Sequence, residues 1–186
     1  MSSAGSVDGD EPLRLFLALR LPDEVVSSLA DWQRRELVDA KPAGRVVPPG
    51  NLHVTLAFLG SRPAGELPGI LEVLAAAARD TAPPRFEVTG YRETRSVGML
   101  TLDEASGSGA ELAGRVQAEL AALGVYRPEA RPWLPHVTVL RFRERPRLHP
   151  EPPTCGWMSS DAAAFLSRLH PSGARYEVLE SFRLGG

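Results

Sequence analysis

Apolar residues recur along this chain with two spacings, one typical of half-buried strands and one typical of amphipathic helices. Short apolar or alternating runs predict strands at 13–19, 52–59, 85–91, 97–102, 134–142 and 175–184. Longer runs with apolar residues three or four positions apart predict helices at 23–38, 70–78 and 109–123. Residues 162–169 are predicted as a strand, although the three alanines at 162–164 also suit a short helix. Segments rich in proline and glycine predict loops at 41–50, 60–68 and 145–153, the first with room for one short strand.

The order of these elements repeats once within the chain. His136 lies 83 residues after His53, and the same shift places HVTL (53–56) on HVTV (136–139) without a gap. Four leucines of the first half also fall on leucines of the second half: Leu17 on Leu100, Leu19 on Leu102, Leu29 on Leu112 and Leu37 on Leu120. Each half therefore reads strand, helix, strand, and the two halves are expected to face each other across a pseudo-two-fold cleft.

Each copy of the repeat presents a histidine and a threonine on one face of a strand. Strand side chains alternate between two faces, so His53 and Thr55 point the same way, as do His136 and Thr138. The intervening apolar residues are expected to face the core: Leu52, Val54, Leu56, Phe58, Val137 and Val139. Two imidazoles and two hydroxyls would then meet in the cleft.

This set of side chains suits the cleavage of a phosphodiester. The reaction needs a base to activate the attacking oxygen and an acid to protonate the leaving oxygen, and histidine titrates near neutrality and can serve as either. Threonine hydroxyls can donate hydrogen bonds to the non-bridging phosphoryl oxygens. A metal or other cofactor is not required by this chemistry, and none is expected.

The two motifs resemble the paired His-x-Thr-x motifs of the two-histidine (2H) phosphoesterase superfamily. Their context resembles the RNA 2′,3′-cyclic phosphodiesterase family, also called 2′-5′ RNA ligases, in four segments that follow one another in order. These are RLFLALRLP (14–22), NLHVTLAFLG (51–60), RPWLPHVTVLR (131–141) and GARYEVLESFRL (173–184). The resemblance implies an α+β fold with two lobes, antiparallel sheets lining a central cleft and helices outside. It covers residues 13–186, which are expected to form a single bilobal domain after a disordered tail at 1–12.

The resemblance also implies a reaction and a role for each motif residue. The reaction is hydrolysis of a 2′,3′-cyclic phosphate at an RNA end or nucleotide to a 2′-phosphomonoester. His53 would donate a proton to the leaving 3′ oxygen, and His136 would accept the proton of the attacking water. Thr55 and Thr138 would hold the phosphate. Three alternatives stay open: 2′-5′ RNA ligation, cleavage of 2′-5′ linkages at the same site, and RNA-end binding without catalysis.

Three further residues are candidates for the site. Arg141 matches a family arginine after the second motif and could bind phosphate, but strict alternation places it on the face opposite His136 unless a bulge intervenes. Phe16 either belongs to the core or stacks on a base at the floor of the cleft. Trp133 is either a stacking platform or a plug between the lobes. Tyr176 is interpreted as structural.

The net charge of −2 argues against a protein that coats long nucleic acid, because such proteins are usually basic. One segment, residues 127–147, holds six arginines against two glutamates, and this local excess forms either a solvated loop or a rim that faces phosphate. The arginines are Arg127, Arg131, Arg141, Arg143, Arg145 and Arg147.

Other features limit the class of protein. The one cysteine, Cys155, excludes an internal disulfide, and His149 and His170 lie beside prolines without metal-ligand spacing. The sequence has no apolar run of the length that spans a membrane, and its N-terminal residues lack the order of a signal peptide. A cytoplasmic location is therefore expected. A monomer is expected because one chain would supply the whole cleft.

Overall fold

The structure, a computed structural model, describes residues 12–38, 44–171 and 173–186. The predicted tail at 1–12 lies outside the described residues except for Pro12, as do residues 41–43 of the predicted first loop. The described residues form three α-helices: α1 (Asp23–Gln33), α2 (Leu67–Arg79) and α3 (Ser108–Ala122). Within the same described ranges there are nine strands: β1 (Leu13–Arg20), β2 (Arg45–Val46), β3 (His53–Arg62), β4 (Arg85–Glu93), β5 (Val97–Asp103), β6 (His136–Arg141), β7 (Gly156–Met158), β8 (Asp161–Arg168) and β9 (Arg175–Arg183).

The predicted helices and strands are present close to their expected bounds, and the α+β class is confirmed. The first predicted helix ends in a π-helical segment, Arg34–Val38, and its apolar stripe of Val25, Leu29, Trp32 and Leu37 is buried. The strand prediction for 162–169 is confirmed by β8, so the short-helix alternative is wrong. The turn predicted from residue 60 begins too early, because β3 continues to Arg62. Sequence patterns missed β7, which has only three residues. None of the described helices is long and apolar enough to cross a membrane.

All nine strands belong to one antiparallel sheet whose order is β7-β4-β5-β6-β3-β1-β8-β9, with β2 added to β6. The two strands that carry the histidine motifs, β3 and β6, are neighbours at the centre. On either side, β1 pairs with β3 and β5 pairs with β6, so the two repeats are arranged symmetrically about the central pair. This arrangement agrees with the predicted pseudo-two-fold relation, with one continuous sheet joining the two lobes.

The two lobes exchange elements. The strand that follows the first repeat, β4, pairs with β5 of the second repeat, and β8, which follows the second repeat, pairs with β1 of the first. A helix is exchanged in the same way, since α3 of the second repeat packs on β3 of the first. Each lobe is therefore built from both halves of the chain.

Both central strands contain a β-bulge at the same place in the repeat. On β3, Thr55 pairs with Ala18 and Ala57 pairs with Leu17, which leaves Leu56 as the extra residue. On β6, Thr138 pairs with Met99 and Leu140 pairs with Gly98, which leaves Val139 as the extra residue. A bulge resets the alternation of side chains along a strand. The residues after each bulge are therefore shifted by one position relative to the faces that strict alternation predicts.

The bulge on β3 corrects one prediction. Leu52, Val54 and Leu56 are buried as expected, but Phe58 is 49% exposed, whereas its neighbours Ala57 and Leu59 are buried. Phe58 therefore lies on the same face of the sheet as His53 and Thr55, and its predicted place in the core is wrong.

Candidate functional site

The two motifs meet through the pairing of β3 with β6. Val54 lies directly opposite Val137, and both valines are fully buried. In an antiparallel pair the next residues on each side are also opposite one another, so His53 lies across from Thr138 and Thr55 lies across from His136. Directly opposite residues have Cβ atoms about 5 Å apart, and diagonal neighbours are about 7–8 Å apart. The four motif side chains thus form a compact square on one face, with the imidazoles on a diagonal.

Both imidazoles are held by the same kind of tether. The Nδ1 atom of His53 lies 2.8 Å from the carbonyl oxygen of Asn51, and Nδ1 of His136 lies 2.8 Å from the carbonyl oxygen of Leu134. A carbonyl oxygen only accepts hydrogen bonds, so Nδ1 carries a proton and donates it in both residues. The Nε2 atom of each ring is therefore the one left for proton transfer, as in other sites where the second ring nitrogen is fixed by a hydrogen bond.

His53 lies in an apolar environment that favours its neutral form. Its ring centroid is 4.8 Å from that of Phe16 and 5.5 Å from that of Tyr176. Burial, together with the charges of Arg141 and His136, lowers the pKa of His53 to about 4, although the hydrogen bond with Asn51 acts in the opposite direction. In the neutral ring Nε2 is an acceptor, so the hydroxyl of Thr55, 3.0 Å away, donates to it.

The bulge on β6 brings Arg141 onto the face of the motifs. Arg141 is exposed and lines a cavity of about 450 Å³ together with His53, Thr55 and Phe58. The alternative in which alternation turns Arg141 away from the site is therefore wrong. Arg141 lies 83 residues after Phe58, so the two residues that follow the two bulges occupy equivalent places in the repeat.

A second cavity, of about 640 Å³, lies on the other side of Thr55 and Phe58, which line both cavities. His136, Trp133 and Arg131 line this larger cavity. The site is thus a pair of adjoining hollows, with one histidine in each and Thr55 and Phe58 between them.

The structure gives different surroundings to the two candidate aromatic residues, Phe16 and Trp133, and to Tyr176. Phe16 is 3% exposed and stacks on Phe165 at 4.9 Å, and it also lines the cavity of His53. Trp133 donates its Nε1 hydrogen to the carbonyl oxygen of Thr55 at 2.8 Å, and it therefore links the approach to the second motif with the strand of the first. Tyr176, interpreted from sequence as structural, lines the cavity of His53.

Two residues of the site were missed by sequence reasoning. Strict alternation places Phe58 in the core, and no sequence motif singles out Arg14. The guanidinium carbon of Arg14 lies 4.8 Å from the centre of the Phe58 ring, a cation–π arrangement, and both residues line the cavity of His53. The adjacent apolar residues Leu56 and Ala57 were the signal that could have revealed Phe58, because they break the alternation.

Of the six arginines in the basic segment, Arg131 and Arg141 line the two cavities. Arg145 instead lies 3.1 Å from Glu93, whose side chain is 2% exposed. His149 and His170 are exposed, and burial raises the pKa of the Cys155 thiol, which favours its protonated form. Within the ranges that the structure describes, no three histidine, cysteine or acidic side chains come together as ligands for a metal.

The arrangement has the parts of an acid–base site for an anion. It offers one histidine in each of two adjoining cavities, Thr55 in the lining of both, and the positive charges of Arg141 and Arg14 in the cavity of His53. Donors fixed in place before a reaction are well suited to stabilising charge that develops in a transition state.

Comparisons with known proteins agree with this geometry. Residues 19–96 match the family model described as LigT like Phosphoesterase. The RNA 2′,3′-cyclic phosphodiesterase of Thermus thermophilus is 34% identical over 94% of this chain and 91% of its own length. The protein of the same name from Escherichia coli is 33% identical over 94% of this chain and 98% of its own length.

Solved structures give the same result. A crystal structure from Thermus thermophilus has a TM-score of 0.81 at 33% identity and covers 94% of this chain and 99% of its own. The structure of Escherichia coli LigT complexed with 3′-AMP has a TM-score of 0.80 at 26% identity and covers 95% of this chain and 100% of its own. Likeness of this extent in sequence and in fold shows that the chain belongs to the RNA 2′,3′-cyclic phosphodiesterase family of LigT-like phosphoesterases.

Proposed function

We propose that this protein hydrolyses 2′,3′-cyclic phosphates at RNA ends or on nucleotides to 2′-phosphomonoesters. The observation that carries the proposal is the register of β3 and β6, which sets each histidine opposite the threonine of the other motif. The relatives named RNA 2′,3′-cyclic phosphodiesterase support the choice of substrate. Structures of Escherichia coli LigT with 3′-AMP and with ATP support a site that accepts nucleotides.

The reaction needs one proton donor and one proton acceptor. His136 accepts the proton of a water molecule whose oxygen attacks phosphorus, and His53 donates a proton to the 3′ oxygen as the P–O3′ bond breaks. The product carries the phosphate on its 2′ oxygen and a free 3′ hydroxyl. Thr55, Thr138 and Arg141 hold the non-bridging oxygens, where negative charge is concentrated. This chemistry uses only side chains of the chain, so the activity is expected to persist in EDTA.

His53 must gain a proton before it acts as the donor, because its pKa of about 4 leaves the ring neutral at pH 7 in the free protein. The substrate supplies the reason for that change. An opposite charge within about 4–6 Å raises the pKa of a histidine by about 1–3 units. When the anionic phosphate takes the hydroxyl hydrogen bond of Thr55, Nε2 of His53 also loses its donor and becomes free to bind a proton.

The test uses an oligonucleotide that ends in a 2′,3′-cyclic phosphate, with EDTA present, and analysis of the phosphate product. We expect the wild type to give a 2′-phosphate, and His53→Ala and His136→Ala each to lose about 10²–10⁴-fold in rate, the usual contribution of an acid–base partner. His149→Ala is the matched control, because His149 is exposed and lies outside both cavities. Wild-type rates in either motif variant would contradict the proposal.

The same experiment separates hydrolysis from two of the alternatives, RNA ligation and binding without catalysis. Adding an RNA with a 5′ hydroxyl in place of water as the attacking group would reveal a 2′-5′ linked product if the protein ligates. Tight binding of the cyclic end without turnover, unchanged in both histidine variants, would indicate a binding module.

We also propose that residues 13–186 form one bilobal domain. The protein acts as a monomer, since one chain contributes both motifs. It acts in the cytoplasm, where RNA is processed.

A further inference from the structure

The two bulges beside the motifs are each held by a glutamine from the helix of the other half. Nε2 of Gln117, on α3, donates to the carbonyl oxygen of Leu56 at 2.7 Å. Nε2 of Gln33, at the end of α1, donates to the carbonyl oxygen of Val139 at 3.0 Å. Leu56 and Val139 are the extra residues of the two bulges, and they lie 83 residues apart, as the histidines do.

The contacts are suited to fixing a bulge. An extra residue interrupts the regular ladder between strands, so its backbone groups need partners from elsewhere. Gln33 is 2% exposed and also donates to the carbonyl oxygen of Val47 at 3.0 Å, while the backbone nitrogen of Val47 donates to Val139 at 2.9 Å. Gln33 therefore ties β6 to the segment that follows β2. Gln117 is partly buried and lines the larger cavity.

Each bulge decides where one side chain of the site points. Two residues beyond Leu56 is Phe58, and two residues beyond Val139 is Arg141. Both would face the core under strict alternation, and both instead line the cavity of His53. We propose that Gln33 and Gln117 are positioning residues of the active site: Gln33 sets the bulge that aims Arg141, and Gln117 sets the bulge that aims Phe58.

Each glutamine is assigned to one bulge and to one side chain of the site, so the two assignments can be tested separately. Loss of Gln33 is expected to act through Arg141, and loss of Gln117 through Phe58. The inference rests on the proposed function only where it concerns turnover. A second readout, the titration of His53 followed by NMR, needs no substrate, so it tests the positioning even if the protein hydrolyses no cyclic phosphate.

The substitutions are Gln33→Met and Gln117→Met, which keep the length of the side chain and remove its donors. Combined with Arg141→Gln and Phe58→Leu, they form two matched and two mismatched double-mutant cycles. Residues that act through one another give non-additive effects, whereas independent ones add. We expect each glutamine variant to lower kcat/KM by about 10–100-fold, the scale of an ångström-sized misplacement. The matched cycles should be strongly non-additive and the mismatched cycles additive.

The titration distinguishes Gln33 from Gln117. The groups that face His53 are Arg14 from β1, Arg141 and His136 from β6, and Tyr176 from β9. The charge of Arg141 opposes protonation of His53, so Gln33→Met should raise the pKa of His53 in the same direction as Arg141→Gln does. Gln117→Met should leave that pKa closer to the wild-type value, because Phe58 carries no charge.

A purely structural role would give a different pattern. Val25 is a buried residue on the same helix as Gln33, so Val25→Ala is the control for lost stability. Its melting temperature is compared with that of Gln33→Met. Additive matched cycles, or an equal loss of kcat/KM in Val25→Ala, would overturn the proposal, as would an unchanged His53 titration in Gln33→Met. If Gln33→Met does not fold, the Gln117→Met and Phe58→Leu cycle decides, because Gln117 is less buried.

Discussion

At the scale of a single residue, the burial of His53 has a cost that depends on pH. Burial lowers the pKa of His53 from its ordinary 6.5 to about 4, so between these values the unfolded chain binds more protons than the folded one. Stability is then lost as the pH falls from about 6.5 towards 4. At about 1.4 kcal/mol for each pKa unit, the loss amounts to about 3 kcal/mol.

We therefore predict that His53→Gln flattens the pH dependence of unfolding in this window. Urea unfolding at pH 7.5 and pH 4.5 should show a loss of about 2–3 kcal/mol in the wild type and a clearly smaller loss in the variant. His149→Gln should behave like the wild type, because His149 is exposed. An equal loss in all three proteins would assign the pH dependence to other groups.

The sequence reveals that His53 is a candidate for catalysis but not that its pKa is low. The rings around it, Phe16, Phe165 and Tyr176, come from β1, β8 and β9, and nothing in the motif indicates that these three strands converge there. The identity of a reactive group is local information, whereas its pKa depends on the tertiary structure.

At the scale of an element, alternation predicts the motif faces correctly up to each bulge and fails after it. Val54 and Val137 are fully buried, as predicted, and the four motif residues beside them are only partly buried. The prediction for Phe58 is wrong because strict alternation assumes a regular strand without a bulge. Each bulge leaves a trace in the sequence, since two consecutive buried residues, Leu56-Ala57 and Val139-Leu140, follow each threonine. An isolated sequence cannot show whether such a pair marks a bulge or a strand buried on both faces.

The long loop between β6 and β7 depends on one buried carboxylate. Glu93 accepts hydrogen bonds from the side chain of Arg145 at 3.1 Å, from the backbone nitrogens of Arg147 and Leu148 at 3.0 and 2.8 Å, and from the hydroxyl of Tyr91 at 3.2 Å. Burial alone would raise the pKa of Glu93, but these hydrogen bonds outweigh it and hold the pKa below its usual value of 4.5.

We predict that Glu93→Gln destabilises the protein by about 2–3 kcal/mol at pH 7, because the amide cannot accept all four hydrogen bonds and places its own donors among theirs. Glu87→Gln on the same strand is the control. Its partner Arg85 is 3.7 Å away and both side chains are mostly exposed, so its effect should stay below about 1 kcal/mol. The pKa of Glu93 is lower in the folded state, so its contribution is present above pH 4.5 and is lost as the pH falls below that value. The difference between the wild type and Glu93→Gln should therefore shrink in acid, and a constant difference would contradict this account.

At the scale of the whole molecule, the repeat predicts two related lobes but not the exchange between them. Hydrophobic periodicity identifies a strand without identifying its partner. The pairing of β4 with β5 is a hairpin and could be predicted, whereas the pairing of β8 with β1 joins residues about 150 positions apart. The sheet order places the motif strands side by side, so the exchange and the site have a common structural basis.

The exchange predicts that neither half of the chain folds alone, although the halves are related by the repeat. A cut between Ala82 and Pro83 separates β1 and β3 from β8, which covers the exposed edge of β1, and separates α3 from β3. Fragments 1–82 and 83–186 should each lack a cooperative urea transition, and mixing them should restore one. The intact chain should unfold in one step, with far-UV circular dichroism and tryptophan fluorescence coincident. A fragment 83–186 that unfolds cooperatively by itself would show that the second half of the chain is an independent domain, and the motif face would then be an interface between two domains.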